Sequence, residues 1–378
     1  MNKGKSMKNR IVYIETYGCA SNRADSQIIV NLLEKNGYRI TDNEKEADYL
    51  LVNTCAVKHK TEEKTIHRLK DLSKLGKKII IAGCLTKVNP ERIKKIMPDF
   101  AGMLDPSSID KVTDLIDDIR EGHKNIIRNS DKKIFLAAGH SPGESVRIIK
   151  ISNGCLSDCS FCATKIAHGN LVSYRIGDIK RELVHAIEDN CSTIYITSQD
   201  NGCYGFDIKT NLTELLKELI TVDGNFKIRV GMANPWHVKK ILSELIKVYR
   251  NKKIMKFIHI PVQSGSNKVL KDMKRPHSLE DFVYITKKFR KEISEITIAT
   301  DIIVGFPTET NHDFNMTLDM VKEIKPEVIN ISRFSSRPGT EARKLKQIDS
   351  EVIDYRSRKL TGLYLSYNKK KEKLVQIT

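Results

Sequence analysis

No apolar run in these 378 residues approaches the ~20 that would cross a bilayer. The first ten residues, Met1 to Arg10, are basic and polar and lack the apolar stretch and small-residue cleavage site of a secretory signal. A cytoplasmic location is therefore expected. No low-complexity segment interrupts the chain, and with 40% apolar and 30% charged residues it reads as a folded protein of more than one domain. Acidic residues are outnumbered, leaving a formal net charge of +18. That excess points to a polyanionic partner such as RNA or DNA. A generally Lys-rich, Ile-rich proteome is the alternative source of it. Disulfides have little place in a cytosolic chain of this length, so the eight cysteines point to metal or catalysis instead.

Residues 1–135 alternate between strands and helices. Strands are expected at Ile11–Glu15, Tyr49–Asn53 and Lys78–Ala82, with helices at Asp25–Lys35 and Thr61–Leu75 and a third opened by Pro90. Strands separated by helices imply a parallel sheet. Lys132–Glu144, with Gly139, Pro142 and Gly143, reads as a linker. Residues 136–345 repeat the alternation, with strands at Val146–Ile151, Ile194–Thr197, Lys227–Val230, Phe257–Pro261, Thr297–Val304 and Val328–Ser332. The helices between them fall at Ile179–Glu188, Leu212–Ile220, Val238–Tyr249, Leu279–Ile293 and His312–Ile324. Six such units suggest an open or partial β/α barrel, since a closed one takes eight. The expected fold class is thus α/β: a parallel-sheet domain, then a six-stranded partial barrel. A helical extension, 346–378, carries the charged run Asn368–Lys373.

The strongest local signal is Gly154-Cys155-Leu156-Ser157-Asp158-Cys159-Ser160-Phe161-Cys162. Three thiolates spaced C-x3-C-x2-C can hold three irons of a cubane cluster. The next cysteine is Cys191, so no fourth thiolate lies nearby and one iron stays open to a small molecule such as chelated S-adenosylmethionine (SAM). A zinc site is the competing reading, but zinc sites pair their ligands and no C-x2-C or H-x3-H partner is near. The cysteines directly follow a barrel strand, where such folds gather their active sites. The other loops after strands are polar or Gly-rich: Ser198-Gln199-Asp200, Gly231 to Pro235, Gln263-Ser264-Gly265-Ser266, Gly305-Phe306-Pro307, and Arg333 with Arg337-Pro338-Gly339.

Cys19, Cys55 and Cys84 are far apart in sequence, yet each stands just past one expected strand of the first domain. In a parallel sheet those ends share one edge, where ligands bind. The trio is a candidate second metal site, and a lone cysteine would more often be a small buried hydrophobe. Cys191 reads as helix-end packing, and Cys203 as a neighbour of the site without an assigned role.

These residues carry a family resemblance. From about Ile11 to Arg343 the chain is similar to the radical-SAM methylthiotransferases, in their archaeal and eukaryotic tRNA branch. Thr16-Tyr17-Gly18-Cys19, Asn53-Thr54-Cys55 and Gly83-Cys84 match the family's N-terminal domain. The Cys155–Cys162 segment, Phe257 to Ser266, Thr300 to Thr310 and Arg337-Pro338-Gly339-Thr340 match its radical-SAM domain. Val230 to Pro235 resembles the tRNA branch rather than the branch acting on a ribosomal protein.

The resemblance implies two 4Fe–4S clusters, one on Cys155, Cys159 and Cys162 that cleaves SAM to a 5′-deoxyadenosyl radical, and an auxiliary one on Cys19, Cys55 and Cys84 that carries the inserted sulfur. It implies methylthiolation at C2 of N6-threonylcarbamoyladenosine at position 37 of tRNA and an electron donor such as ferredoxin or flavodoxin; the sequence leaves the oligomeric state open, with a monomer the default expectation. Ser198, Gln199 and Asp200 stand where family members contact SAM, with Gln263 and Ser264 on the neighbouring rim. Methylthiolation of a ribosomal protein, and a non-catalytic iron–sulfur RNA-binding protein, are the alternatives. Two departures stand out. Where the family has Arg-Gly, this chain has His168-Gly169, so His168, Lys165 or Arg175 must meet what that arginine contacts. The family's small RNA-binding β-barrel is expected to be absent from the sequence, so that either the sequence is truncated or tRNA is held by the basic surfaces of the two domains.

Overall fold

Largely apolar runs make the central strands of the first unit. Tyr49–Thr54 is buried at every position and Lys78–Gly83 at all but its first. That is what parallel strands covered by helices on both faces require. The computed structural model describes residues 10–131, 134–137 and 144–368. These fall into two compact units divided at 141/142, with Ile166–His168 grouped with the first.

In chain order the first unit has β1 (Ile11–Thr16), α1 (Ala20–Lys35), β2 (Arg39–Thr41), β3 (Tyr49–Thr54), α2 (His59–Ser73), β4 (Lys78–Gly83), α3 (Leu85–Val88), α4 (Pro90–Ile96), β5 (Gly102–Leu104), α5 (Val112–Arg120) and β6 (Ile126–Arg128). Its sheet is parallel throughout, ordered β2-β1-β3-β4-β5-β6. The chain winds outward in opposite directions from β1 and β3, so a crevice opens beyond their C-terminal ends, the usual ligand position in a doubly wound sheet. Ile28, Ile29 and Leu33 of α1 and Leu115, Ile116 and Ile119 of α5 pack with Leu51, Ile80 and Leu104 of the strands into one core. The strands β2, β5 and β6 are three residues each, too short to show a period, and α5 was likewise not foreseen from the sequence.

The second unit holds β7 (Val146–Lys150), β8 (Ser152–Asn153), α6 (Ala163–His168, its last three residues grouped with the first unit), β9 (Val172–Ser173), α7 (Ile176–Glu188), β10 (Thr193–Thr197), α8 (Leu212–Ile220), β11 (Lys227–Val230), α9 (Pro235–Tyr249), β12 (Phe257–His259), α10 (Asn267–Asp272), α11 (Leu279–Glu292), β13 (Thr297–Val304), α12 (Asn311–Ile324), β14 (Val328–Arg333) and α13 (Ser350–Tyr367). Six parallel strands form two triplets, β11-β10-β7 and β12-β13-β14. A parallel bridge from Ile228 to Ile254 and the bond from Ala233 N–H to His259 O (2.9 Å) link β11 to β12, making an arc of six strands in chain order. Short β8 and β9 pair antiparallel beside it.

The unit boundary falls six residues beyond the expected 135, and the expected extension packs on the second unit. There Tyr364 donates to Glu327 O (3.1 Å), and buried Arg356 reaches Glu309 Oε2 (2.8 Å) and Asn311 Oδ1 (2.9 Å). Most of the expected linker, the N-terminus up to residue 9 and all of the charged run beyond Asn368 lie outside the described residues. Among the described residues no helix is long and apolar enough to cross a membrane.

Candidate metal centres

In the first unit, Cys19 caps the start of α1 after β1, Cys55 follows β3, and Cys84 precedes α3 after β4. The topology brings all three to one sheet edge, two of them at the β1/β3 crevice. Asn22, almost wholly buried, ties the edge together. Its Nδ2 donates to Tyr17 O (2.9 Å) and Thr54 O (2.8 Å), and its Oδ1 lies 3.7 Å from the Cys19 sulfur and 3.9 Å from the Cys84 sulfur. Gly18 has φ +118°, and a Cβ there would stand 2.9 Å from Cys55 Cβ, so the first and second loops touch at that point. Cys19 keeps solvent contact, yet surrounding protein raises its thiol pKa, and Cys55 adds to the rise as a like charge. His168, grouped with this unit and buried, puts Nε2 3.4 Å from the Cys84 sulfur.

In the second unit the loop Cys155–Cys162 follows β7 and β8. Gly154 turns it with φ +82°, a position where a Cβ would fall 2.0 Å from Asn170 O. Ser160 pins it: its N–H donates to Met273 O (3.1 Å), its hydroxyl to Asp272 O (2.9 Å), and its carbonyl accepts from Ala342 N–H (2.9 Å). Phe161 and Phe334 pack against the apolar group of Val269, Met273, Phe306 and Ala342. Lys165 donates to Cys155 O (2.7 Å).

The thiols of Cys159 and Cys162 are pushed up, first by burial; the Arg275 cation opposes the rise at Cys159, while like charge from Cys155 adds to it at both and from Cys162 at Cys159. Three thiols this close together are a donor set suited to a metal core. Cys155 is drawn down, foremost by its contact with Cys203, and Cys203 is pushed up in turn. The sulfurs of Cys155 and Cys203 and an Asp200 carboxylate oxygen lie within 4.8 Å of one another, so the structure does bring Cys203 to the cluster loop. Cys191, by contrast, donates to Glu144 O (3.1 Å) away from both sites, at a helix end as expected.

The expected SAM contacts divide into two kinds. Gln199 Oε1 accepts from Gly154 N–H (2.7 Å). Asp200, fully buried, accepts from Gly202 N–H (2.9 Å), Asn234 N–H (3.0 Å) and Asn234 Nδ2 (2.7 Å), so it fastens the β10 loop to the β11 loop. Ser264 Oγ turns to Ser266 N–H (3.2 Å) and Thr317 (3.5 Å). Ser198 Oγ and Gln263 Oε1, however, are buried without a hydrogen-bond partner, as are Asn201 Oδ1 and Asn234 Oδ1. Gln263 moreover sits at φ +73°. Buried polar atoms are normally satisfied. A row of orphans after β10, β11 and β12 fits a polar ligand on this rim, and the residues present therefore suit SAM beside a cluster.

Sequence reading missed Asn22, Trp236 and Arg275. Only Asn22 carried a signal, standing one helical turn after Cys19. Arg275 Nη1 lies 3.6 Å from the Cys159 sulfur, although 116 residues separate them.

Residues 11–105 match an uncharacterized protein family, UPF0004, and residues 149–321 match the radical SAM superfamily. The chain is 43% identical over 360 residues to a probable threonylcarbamoyladenosine tRNA methylthiotransferase of Pyrococcus horikoshii, covering 94% of this chain and 84% of that protein. It is 34% identical to the human threonylcarbamoyladenosine tRNA methylthiotransferase over 366 residues, covering 94% of this chain and 63% of that one. Among solved structures, a radical S-adenosylmethionine methyltransferase, TsrM, from Kitasatospora setae has the same fold (TM-score 0.67 at 13% identity, covering 89% of this chain and 77% of that one). With both cysteine trios in place and an archaeal relative this similar across nearly its whole length, the chain belongs to the threonylcarbamoyladenosine tRNA methylthiotransferase family of radical SAM enzymes.

Proposed function

We propose that this enzyme replaces the C2 hydrogen of N6-threonylcarbamoyladenosine at position 37 of tRNA with a methylthio group, giving the 2-methylthio nucleoside. The observation that carries this reading is the second trio, Cys19, Cys55 and Cys84, at one sheet edge of the N-terminal unit, in a chain that also has a complete C-x3-C-x2-C loop in its other unit. A radical enzyme that only methylates or rearranges has no need of a separate sulfur-bearing site. When bound, the two clusters and SAM supply the electron, the hydrogen-abstracting radical and the inserted sulfur. An aromatic C–H offers no usable acid–base route, so such chemistry is what the substrate demands.

The chain's own residues position and shield. Cys155, Cys159 and Cys162 hold the cluster that binds SAM, and Cys19, Cys55 and Cys84 hold the auxiliary one. Ser198 Oγ and Gln263 Oε1, both without a protein partner, receive polar groups of SAM. Gln199, Asp200 and Ser264 hold the rim loops in register through the bonds described above. Phe161, Phe306 and Phe334 close the floor beneath the cysteine loop, and Phe306 meets Phe334 edge-on at 5.4 Å. A reduced carrier of ferredoxin or flavodoxin type feeds the electron, and tRNA and such carriers meet in the cytoplasm.

The test is anaerobic incubation of reconstituted, reduced protein with SAM and tRNA bearing the threonylcarbamoyl nucleoside, followed by nucleoside mass spectrometry. The expected product gains a methylthio group and disappears in Cys155→Ala and in Cys55→Ala. Cys55→Ala should still form 5′-deoxyadenosine, whereas Cys155→Ala should not. A methylthio group found on a ribosomal-protein peptide, with none on tRNA, would reject the reading.

A further inference from the structure

Arg275 is a buried cation held for a purpose the assignments above do not explain. It follows α10, which ends in a left-handed reversal at Lys274 (φ +55°). The bonds Lys274 N–H to Lys271 O (2.9 Å) and Arg275 N–H to Leu270 O (2.8 Å) complete a Schellman cap. A non-glycine residue in the left-handed region costs roughly 1–2 kcal/mol, and the result of that reversal is to send Arg275 inward.

Once inside, the guanidinium is fixed on three sides. Nη2 donates to Pro261 O (2.5 Å), the Trp236 ring lies under Cζ at 4.6 Å, and Nη1 points to the Cys159 sulfur at 3.6 Å. Trp236 is itself held by stacking on His277 (5.5 Å between centroids, 17° between planes). His277 adds no charge: burial first, then the Arg275 cation, push it down to about 3.

Arg275 is 7% exposed, and among the described residues no carboxylate lies within ion-pair distance of it. Two other deeply buried arginines do have such partners, since Arg147 pairs with Glu182 and Asp189, and Arg356 with Glu309. A buried charge is costly unless an opposite charge repays its desolvation. The group in contact that can carry negative charge is the Cys159 thiolate.

We infer that Arg275 is a positioning residue for the radical-generating centre, its guanidinium raising the reduction potential of the cluster held by Cys155, Cys159 and Cys162. Net charge and hydrogen bonds to ligand sulfurs are among the protein's controls on such potentials. Taking one electron from a low-potential carrier makes the site one charge more negative. A cation 3.6 Å from a ligand sulfur favours that reduced state.

The experiment is a redox titration of the full chain, followed by the electron paramagnetic resonance signal of the reduced cluster. It is made on a Cys55→Ala background so that only the SAM cluster reports, with dithionite as the electron source. R275Q should lower the midpoint, cutting the reduced fraction at a fixed potential about tenfold, which is 59 mV for a one-electron couple. R275K keeps the charge and should stay close to the parent. Iron content should match the parent in both.

An unchanged midpoint in fully loaded R275Q overturns the inference, and so does a loaded R275K that falls as far as R275Q. If R275Q fails to take up iron, R275K decides. Loading at the parent's midpoint upholds the role of the charge, and failure to load means Arg275 merely holds the loop. None of these readouts requires tRNA, so they stand apart from the fate of the proposed reaction.

Discussion

At the scale of single residues, the auxiliary site depends on a side chain that ligates nothing. Asn22 is buried and donates to two loop carbonyls, those of Tyr17 and Thr54. It also accepts from Asn53 through its own carbonyl (2.8 Å), and Asn53 bonds Ser26 Oγ (2.9 Å) in turn. Leaving buried acceptors unmet costs about 1–3 kcal/mol. Asn22→Ala should therefore destabilise the N-terminal unit by about 2 kcal/mol and loosen the spacing of Cys19, Cys55 and Cys84. The expected outcome is a lower melting temperature, together with iron loss confined to the auxiliary cluster. The check is iron analysis of Asn22→Ala beside a Cys155→Ala, Asn22→Ala double variant. If the double variant still holds as much iron as Cys155→Ala alone, the hub has no role in assembly.

At the scale of elements, each cluster loop is a turn with little tolerance. Gly154 is required twice over, by φ +82° and by the 2.0 Å that a Cβ would leave to Asn170 O. Gly154→Ala should displace Cys155 from its bond with Gly169 O (3.2 Å), and should abolish SAM cleavage while the auxiliary cluster stays loaded. The measurement is 5′-deoxyadenosine formation alongside iron content, and full cleavage activity in the variant would contradict the geometry.

Elements are also the scale at which the sequence was most legible. The long strands announce themselves by apolar runs, and the six candidate ligand cysteines by their place past those runs, because strand ends fix where loops can go. The strands β2, β5 and β6 escaped notice, being shorter than any period. Asp200 and Ser264 were read from the sequence as rim residues, but their inward bonds depend on Asn234 and Thr317, which only folding brings near. Arg275 was invisible for the same reason, since nothing local marks an arginine whose partner sulfur lies 116 residues away.

For the whole molecule, the dominant physical quantity is charge. Lysines and arginines number 65 against 47 acidic residues. Many acidic groups are already spent on ion pairs, such as Lys74 with Asp71 (2.8 Å) and Lys94 with Glu91 (2.7 Å). Such exposed or half-exposed pairs contribute little to stability, about 0–1 kcal/mol each, but they leave the net excess of +18 to act at long range. A tRNA held by that excess releases counterions as its phosphates are neutralised, so affinity must fall with salt in proportion to the number of contacts. With roughly five to six phosphates engaged, the slope of log affinity against log salt should be about −4, or a loss of more than about a hundredfold between ~50 and ~200 mM salt. Filter binding of unmodified and threonylcarbamoylated tRNA across that range measures both parts of recognition. The two tRNAs should share the slope, since phosphates set it, and differ by a constant offset, since the nucleoside sets that. A slope near zero would mean that the basic surface is not what holds tRNA, and that binding by this chain rests on the nucleoside alone.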